Sequence, residues 1–161
     1  MKKNEWYKIL KDRVNSSPVS LYVGQKLTKV SRGRAEIVLE IKKHHLQGRG
    51  QLHGGWYGFI SDTAGFFSVM SLCEPEDGAT TLEYKVNLIS PATPLISPVK
   101  ALAKVIKRTG QIAVVYAEVI DRNGDICSTF LGTYRIFPGK AKEFQEKLKK
   151  KVVISPLVEL K

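Results

Sequence analysis

Trp6, Ile9, Leu10 and Val14 recur at helical spacing among Lys and Asp, so residues 4–14 read as a short amphipathic helix. Ser16-Ser17-Pro18 ends it. Residues 19–30 are strand-like with an early kink at Gly24, and Ser31-Arg32-Gly33-Arg34 is a turn. Across 35–41, Ala35, Ile37, Leu39 and Ile41 alternate with Glu36 and Glu40, the mark of a half-buried strand. A polar, glycine-containing loop follows over 42–51. Residues 52–73 are apolar nearly all round, rich in small residues and too long for an ordinary strand, which predicts a helix buried on most sides. Glu74-Pro75-Glu76-Asp77-Gly78 stops it. Four strands are then expected at 79–88, 97–108, 111–120 and 126–137. Asn123-Gly124 supplies the positive φ of a tight turn before the last of them. Pro138-Gly139 ends the sheet, 141–151 looks helical, and 152–161 has no assignment. Strands in runs around one long helix argue an α+β fold, an antiparallel sheet wrapped on a central apolar helix. The 161 residues fit one domain. It divides into an N-terminal helical extension (1–17), a core (19–137) and a basic C-terminal helix and tail (139–161).

Composition refines this picture. Hydrophobic residues at 43% and charged residues at 25% are ordinary for a soluble globular chain. Cys73 and Cys127 form no CxxC motif and sit in apolar segments, as two small core residues would in a reducing compartment. Met1-Lys2-Lys3 leads into polar sequence rather than an apolar signal core, and Asp62 interrupts the longest apolar run, so a cytoplasmic protein is expected. His44, His45 and His53 are the only histidines. Adjacent residues of extended chain point opposite ways, and no HxxxH or Cys partner is present, so neither metal nor cofactor is expected. The net charge of +11 is spread out: residues 139–161 hold seven Lys against three Glu. Such a surface suits a polyanionic small molecule or nucleic acid. Aromatics do not interleave with Arg and Lys as base-stacking platforms would.

Chemistry concentrates between Gln47 and Gly65. Asp62 is the only charged residue from Trp56 to Cys73, and a bare buried carboxylate costs several kcal/mol unless paired, solvated or neutralised. Gly58, Asp62 and Gly65 fall at i, i+4 and i+7 on one helix face, which describes a slot with a carboxylate in it. The plainer alternative bonds Asp62 to a local hydroxyl, Ser61 or Thr63, or to an Arg. His53-Gly54-Gly55 opens the same helix. A helix N-terminus offers unpaired N–H groups, and glycine lets a carbonyl approach them closely enough to be polarised. His53 equally suits a ring hydrogen bond that orients the loop.

The run Gln47 to Gly65 resembles the active-site segment of hotdog-fold acyl-CoA thioesterases of the phenylacetate-degradation (PaaI-like) type: an amide residue, an HGG turn, then an acidic residue along the following helix. Thr80 to Ala92 is similar to the next strand of that family, with its closing Asn-Leu-Ile-Ser-Pro-Ala turn. Lys107 to Gln111 and Asp121 to Gly124 sit where its last two hairpins lie, and the likeness covers roughly residues 19–137. The resemblance implies the hotdog fold and hydrolysis of a coenzyme A thioester. It makes Asp62 the general base or nucleophile, Gly54 the donor of the N–H that polarises the thioester carbonyl, and His53 a supporting residue. Gln47 would hold water or the carboxylate, and Thr81 would help position water. Gly55 would lie against the substrate, and Lys107 and Arg108 would hold the phosphates of coenzyme A. It also implies a homodimer or homotetramer whose sites take Asp62 and Thr81 from one subunit and Gln47 and the HGG turn from the other. The acyl group is open, with Trp56, Phe59, Phe66 and Phe67 as candidate pocket walls. Three other readings stay open at this point: a non-catalytic acyl-CoA-binding sensor of the same fold, a nucleic-acid binder, and a hotdog dehydratase pairing His53 with Asp62.

Overall fold

The structure, a computed structural model, describes residues 2–141 and 143. Two helices, α1 (Lys3–Asn15) and α2 (Pro18–Val23), precede the strands β1 (Gln25–Ser31) and β2 (Arg34–Leu39). The long helix α3 (Gly54–Met70) follows, then β3 (Gly78–Leu88), β4 (Val99–Thr109), β5 (Ile112–Ile120) and β6 (Ile126–Phe137). The six strands form one antiparallel sheet in the order β1-β2-β4-β5-β6-β3, and α3 packs on one face of it. This is the α+β hotdog arrangement expected from the sequence. The expected helix at 141–151 and the tail at 152–161 lie outside the described residues but for Ala141 and Glu143.

Residues 19–30 are not one strand. Pro18–Val23 is a helical turn and a half, and only then does β1 begin. Ser17 caps the turn by accepting from the Ser20 N–H, Pro18 stands where its missing N–H is not needed, and Gly24 ends it at φ 81°. The long helix is also shorter at both ends than its apolar run, because His53 caps it and Ser71 closes it. In the last hairpin Gly124 alone takes a positive φ; Asn123 instead donates its N–H to Asp121 Oδ1.

Small residues decide how closely α3 rides on the sheet. Ala101, Ala103, Ala113 and Ala117 face the helix from β4 and β5 and are buried. Tyr57, Ile60, Ala64 and Phe67 fill the space from the helix side, against Ile37, Leu39, Val115 and Phe130. Each large side chain so buried contributes about 1.5–3 kcal/mol relative to exposure. The N-terminal helix closes the far end: Trp6, Leu10 and Val14 are buried at i, i+4 and i+8, and Trp6 Nε1–H donates to the Met70 carbonyl at 3.1 Å.

Candidate active site

Asp62 sits two turns into α3, half-buried, with its side chain toward β3 and β6. The Thr81 hydroxyl donates to Asp62 Oδ1 at 2.8 Å, and the Tyr134 hydroxyl reaches the same oxygen at 3.0 Å. Among the described residues Oδ2 has no hydrogen-bond partner. The carboxylate is therefore held by one oxygen and presents the other. Neither Ser61 nor Thr63 supplies the bond: Thr63 donates to the Phe59 carbonyl, and the Ser61 hydroxyl is buried without a partner. Thr81 is aimed by a bulge in β3 between Thr81 and Glu83, the kind of irregularity that re-directs a side chain beside a site. Burial, the neighbouring Asp62 charge and the hydrogen bond to it together push the Tyr134 phenol far above its ordinary value, so it acts as a donor, not a base.

The glycine face of α3 is packed rather than open within one chain. Leu88 lies over Gly54, Tyr84 and Val86 lie over Gly58, and Tyr134 lies over Gly65. A Cβ at Gly65 would strike the Tyr134 hydroxyl and sit 2.9 Å from its Cζ. Glycine at 65 thus makes room for the phenol that bonds Asp62, whereas the sequence alone suggested room for a ligand.

At the helix start His53 is the N-cap, its Nδ1 accepting from Gly55 N–H at 3.0 Å. Its ring orients the turn in that way. The Trp56 N–H goes to the His53 carbonyl at 3.0 Å. Gly54 N–H has no acceptor among the described residues, so it is the amide left free at the positive end of α3. The turn is anchored by a residue the sequence reading passed over. His45 is fully buried, its Nδ1 accepts from Lys42 N–H at 2.9 Å, and its Nε2–H donates to the Val23 carbonyl at 2.8 Å. The His45 carbonyl in turn accepts from His53 N–H at 2.9 Å, and its ring meets Trp56 edge-on. Gln47 is tied into its own loop: its Nε2 donates to Gln51 Oε1 at 3.0 Å and its Oε1 accepts from Arg49 N–H at 2.6 Å.

Asp62 lies eight positions along α3 from Gly54, about 12 Å of helix rise. Within one chain, then, the free amide and the carboxylate cannot both touch one carbonyl group. Neither Lys107 nor Arg108 bonds Asp62 or the HGG turn among the described residues. Lys107 is exposed on β4, while Arg108 bonds the Leu72 carbonyl at 2.7 Å beyond the C-terminal end of α3. Arg108 shares a cleft of about 380 Å³ there with Lys3, Arg32 and Glu74. Burial pushes the Cys73 thiol up to about 11 and raises that of Cys127, so neither cysteine is a thiolate. No helix among the described residues is long and apolar enough to cross a membrane.

The chain is similar to known proteins. A Sulfurisphaera tokodaii protein named "Putative esterase" is 31% identical over 116 residues, covering 71% of this chain and 84% of its own. A thioesterase-family protein from Silicibacter pomeroyi superposes with a TM-score of 0.76 at 26% identity, over 83% of this chain and 99% of that one. The E. coli PaaI protein, from the phenylacetic acid degradation operon, superposes with a TM-score of 0.76 at 16% identity, over 85% and 96%, and shares the fold. The model of the thioesterase superfamily matches residues 49–128, the stretch that holds the HGG turn, Asp62 and Thr81, and with these relatives it shows that the chain belongs to that superfamily.

Proposed function

We propose that the protein hydrolyses acyl-CoA thioesters, with Asp62 as the working carboxylate. The observation that carries this reading is the asymmetric hold on Asp62: two hydroxyls on Oδ1 and none on Oδ2. An oxygen so placed takes a proton from water as water adds to the thioester carbon; when the tetrahedral adduct expels the sulfur, the same carboxyl returns the proton to the thiolate. Direct attack by Oδ2 on the carbonyl, with water opening the resulting anhydride, uses the same geometry. The carbonyl oxygen needs a donor, and Gly54 N–H is free for it.

The ~12 Å between that amide and Asp62 supports a site completed by a second copy, with Asp62 and Thr81 from one subunit and Gly54, His53 and Gln47 from its partner. The free edge of β3, with Leu82, Tyr84 and Leu88 exposed, is the surface on which two copies would meet in a dimer, or a tetramer built from dimers. Gly55 lies beside the free amide and would contact the thioester group. Lys107, or Arg108 with Lys3 and Arg32 in its cleft, would anchor the phosphates of coenzyme A. Two protonated thiols fit a reducing compartment such as the cytoplasm.

Thiol release from a panel of aliphatic and aryl-CoA thioesters tests the reading. Wild type should release thiol, and Asp62→Asn should lose about 10²–10⁴-fold in kcat. Wild-type turnover by Asp62→Asn would refute it, and tight binding without thiol release would favour the sensor.

A further inference from the structure

We infer that Tyr134 is a positioning residue of this site: with Thr81 it fixes Asp62 Oδ1, so that Oδ2 alone meets the water or the thioester. The inference rests on the thioesterase reading and adds to it a residue 72 positions from Asp62 in sequence.

Four observations converge on Tyr134. Its side chain is fully buried, yet its hydroxyl lies at the edge of a half-buried carboxylate. It reaches Oδ1 at 3.0 Å and the Asp62 backbone carbonyl at 3.2 Å, so both ends of the residue are within range of one phenol. Gly65, one turn further along α3, leaves the volume the phenol occupies. On the sheet Tyr134 stands opposite Thr81 in the β3–β6 register, which brings the two donors together as a cross-strand pair.

A single donor leaves a carboxylate free to swing about its Cβ–Cγ bond. Two donors on one oxygen from two strands fix the plane of the group, and the second oxygen then has one direction in which to act. Positional errors near an ångström are enough to slow a reaction that depends on aligned atoms. No charged side chain bonds the carboxylate among the described residues; the groups facing it from β3 and β6 are Thr81 and Tyr134, with Tyr84 near the phenol. The orientation therefore depends on hydroxyls alone.

Tyr134→Phe keeps the ring and removes the donor. The expected result is a fall of about 10–100-fold in kcat with KM within about twofold of wild type and an unchanged thermal midpoint. Thr81→Val should behave alike, Thr81→Ser should restore most of the loss, and the Tyr134→Phe/Thr81→Val double variant should lose more than either. A wild-type kcat in Tyr134→Phe overturns the inference. So does a loss that appears in KM, or one that tracks the thermal midpoint. Should the Phe variant not fold, fluorotyrosine at position 134 keeps the ring and alters the O–H acidity; kcat must then change with it. If wild type releases no thiol from any CoA thioester, the functional reading has failed first. The clamp is then read without turnover, from the ¹³C resonance of the Asp62 carboxyl carbon, which must move in Tyr134→Phe for the inference to stand.

Discussion

His45 shows what a single buried ring can hold together. Its two nitrogens and its carbonyl connect the end of α2, the loop after β2 and the cap of α3. Burial lowers its pKa, and the neighbouring His44 and Lys42 act the same way, against a raising effect of the bond to the Val23 carbonyl. The folded state therefore keeps the ring neutral, while the unfolded chain takes up a proton below about 6.5. This contribution to stability is fully present above that value and is lost as pH falls from there toward the lowered folded value. Protonation would also cost the Lys42 N–H bond, since Nδ1 could no longer accept. Thermal melts at pH 7.5 and 5.5 should show wild type losing on the order of 1 kcal/mol, whereas His45→Gln, less stable at pH 7.5, should show a smaller loss. Equal losses in the two proteins would remove His45 as the source. At this scale sequence and structure part company. The lone carboxylate and the HGG turn could be singled out from residue type and spacing, and Thr81 from the family resemblance. Tyr134 and His45 could not, because each owes its role to partners brought near by folding. A buried phenol does need an acceptor, but nothing in the alternation of β6 says that Asp62 will be it.

The two edges of the sheet are treated differently. Along β1 the edge is occupied by Asn15, the last residue of α1, whose side-chain oxygen accepts from Leu27 N–H at 2.8 Å and whose amide donates to the Leu27 carbonyl at 3.2 Å. An amide side chain so placed substitutes for a neighbouring strand, and a bulge between Leu27 and Lys29 twists the edge away beyond it. Along β3 there is a bulge at Thr81/Glu83, but no side chain of another element bonds the outer backbone edge among the described residues, which leaves that edge open to the proposed second copy. Asn15→Ala should lower stability by about 1–3 kcal/mol in urea unfolding. No loss of stability would mean the Asn15 bonds are replaced by water at no net cost. Most elements could be read from the sequence because their signals are clean: a 3.6 period along α1, a period of 2 along β2, and along α3 an apolar run too long for a strand. Residues 19–23 misled for a physical reason. Val19, Leu21 and Val23 alternate as in a strand, but the Ser-Pro cap before them and Gly24 after them favour one and a half helical turns, and only Ser20 and Val23 are buried by it.

Over the whole molecule the charge of +11 is not neutralised by pairing. Lys26, Arg34, Lys85, Lys100, Lys104 and Lys107 are carried on the face of the sheet turned away from α3, as the registers of β1, β2, β3 and β4 require. Carboxylates on that face are already engaged: Glu36 with Lys29 and Thr28, Glu118 with the Tyr116 hydroxyl. A like-charged face of this kind repels its own copy, so two sheets stacked back to back would be opposed, while meeting at the β3 edge is less so. It also gives the molecule a positive potential, which would draw in a polyanion such as the proposed coenzyme A thioester. That field is screened over about 10 Å at 0.1 M salt and about 30 Å at 0.01 M. If the field assists capture, kcat/KM for an acyl-CoA should fall several-fold, up to about 10-fold, between 0.01 and 0.2 M salt. The same acyl group on N-acetylcysteamine, which lacks the phosphates, should show little change. The comparison isolates the field, because the acyl group and the proposed catalytic carboxylate are common to both reactions. Parallel salt profiles for the two thioesters would show instead that the basic surface does not guide the substrate, and that salt acts on the fold or on the union of the subunits.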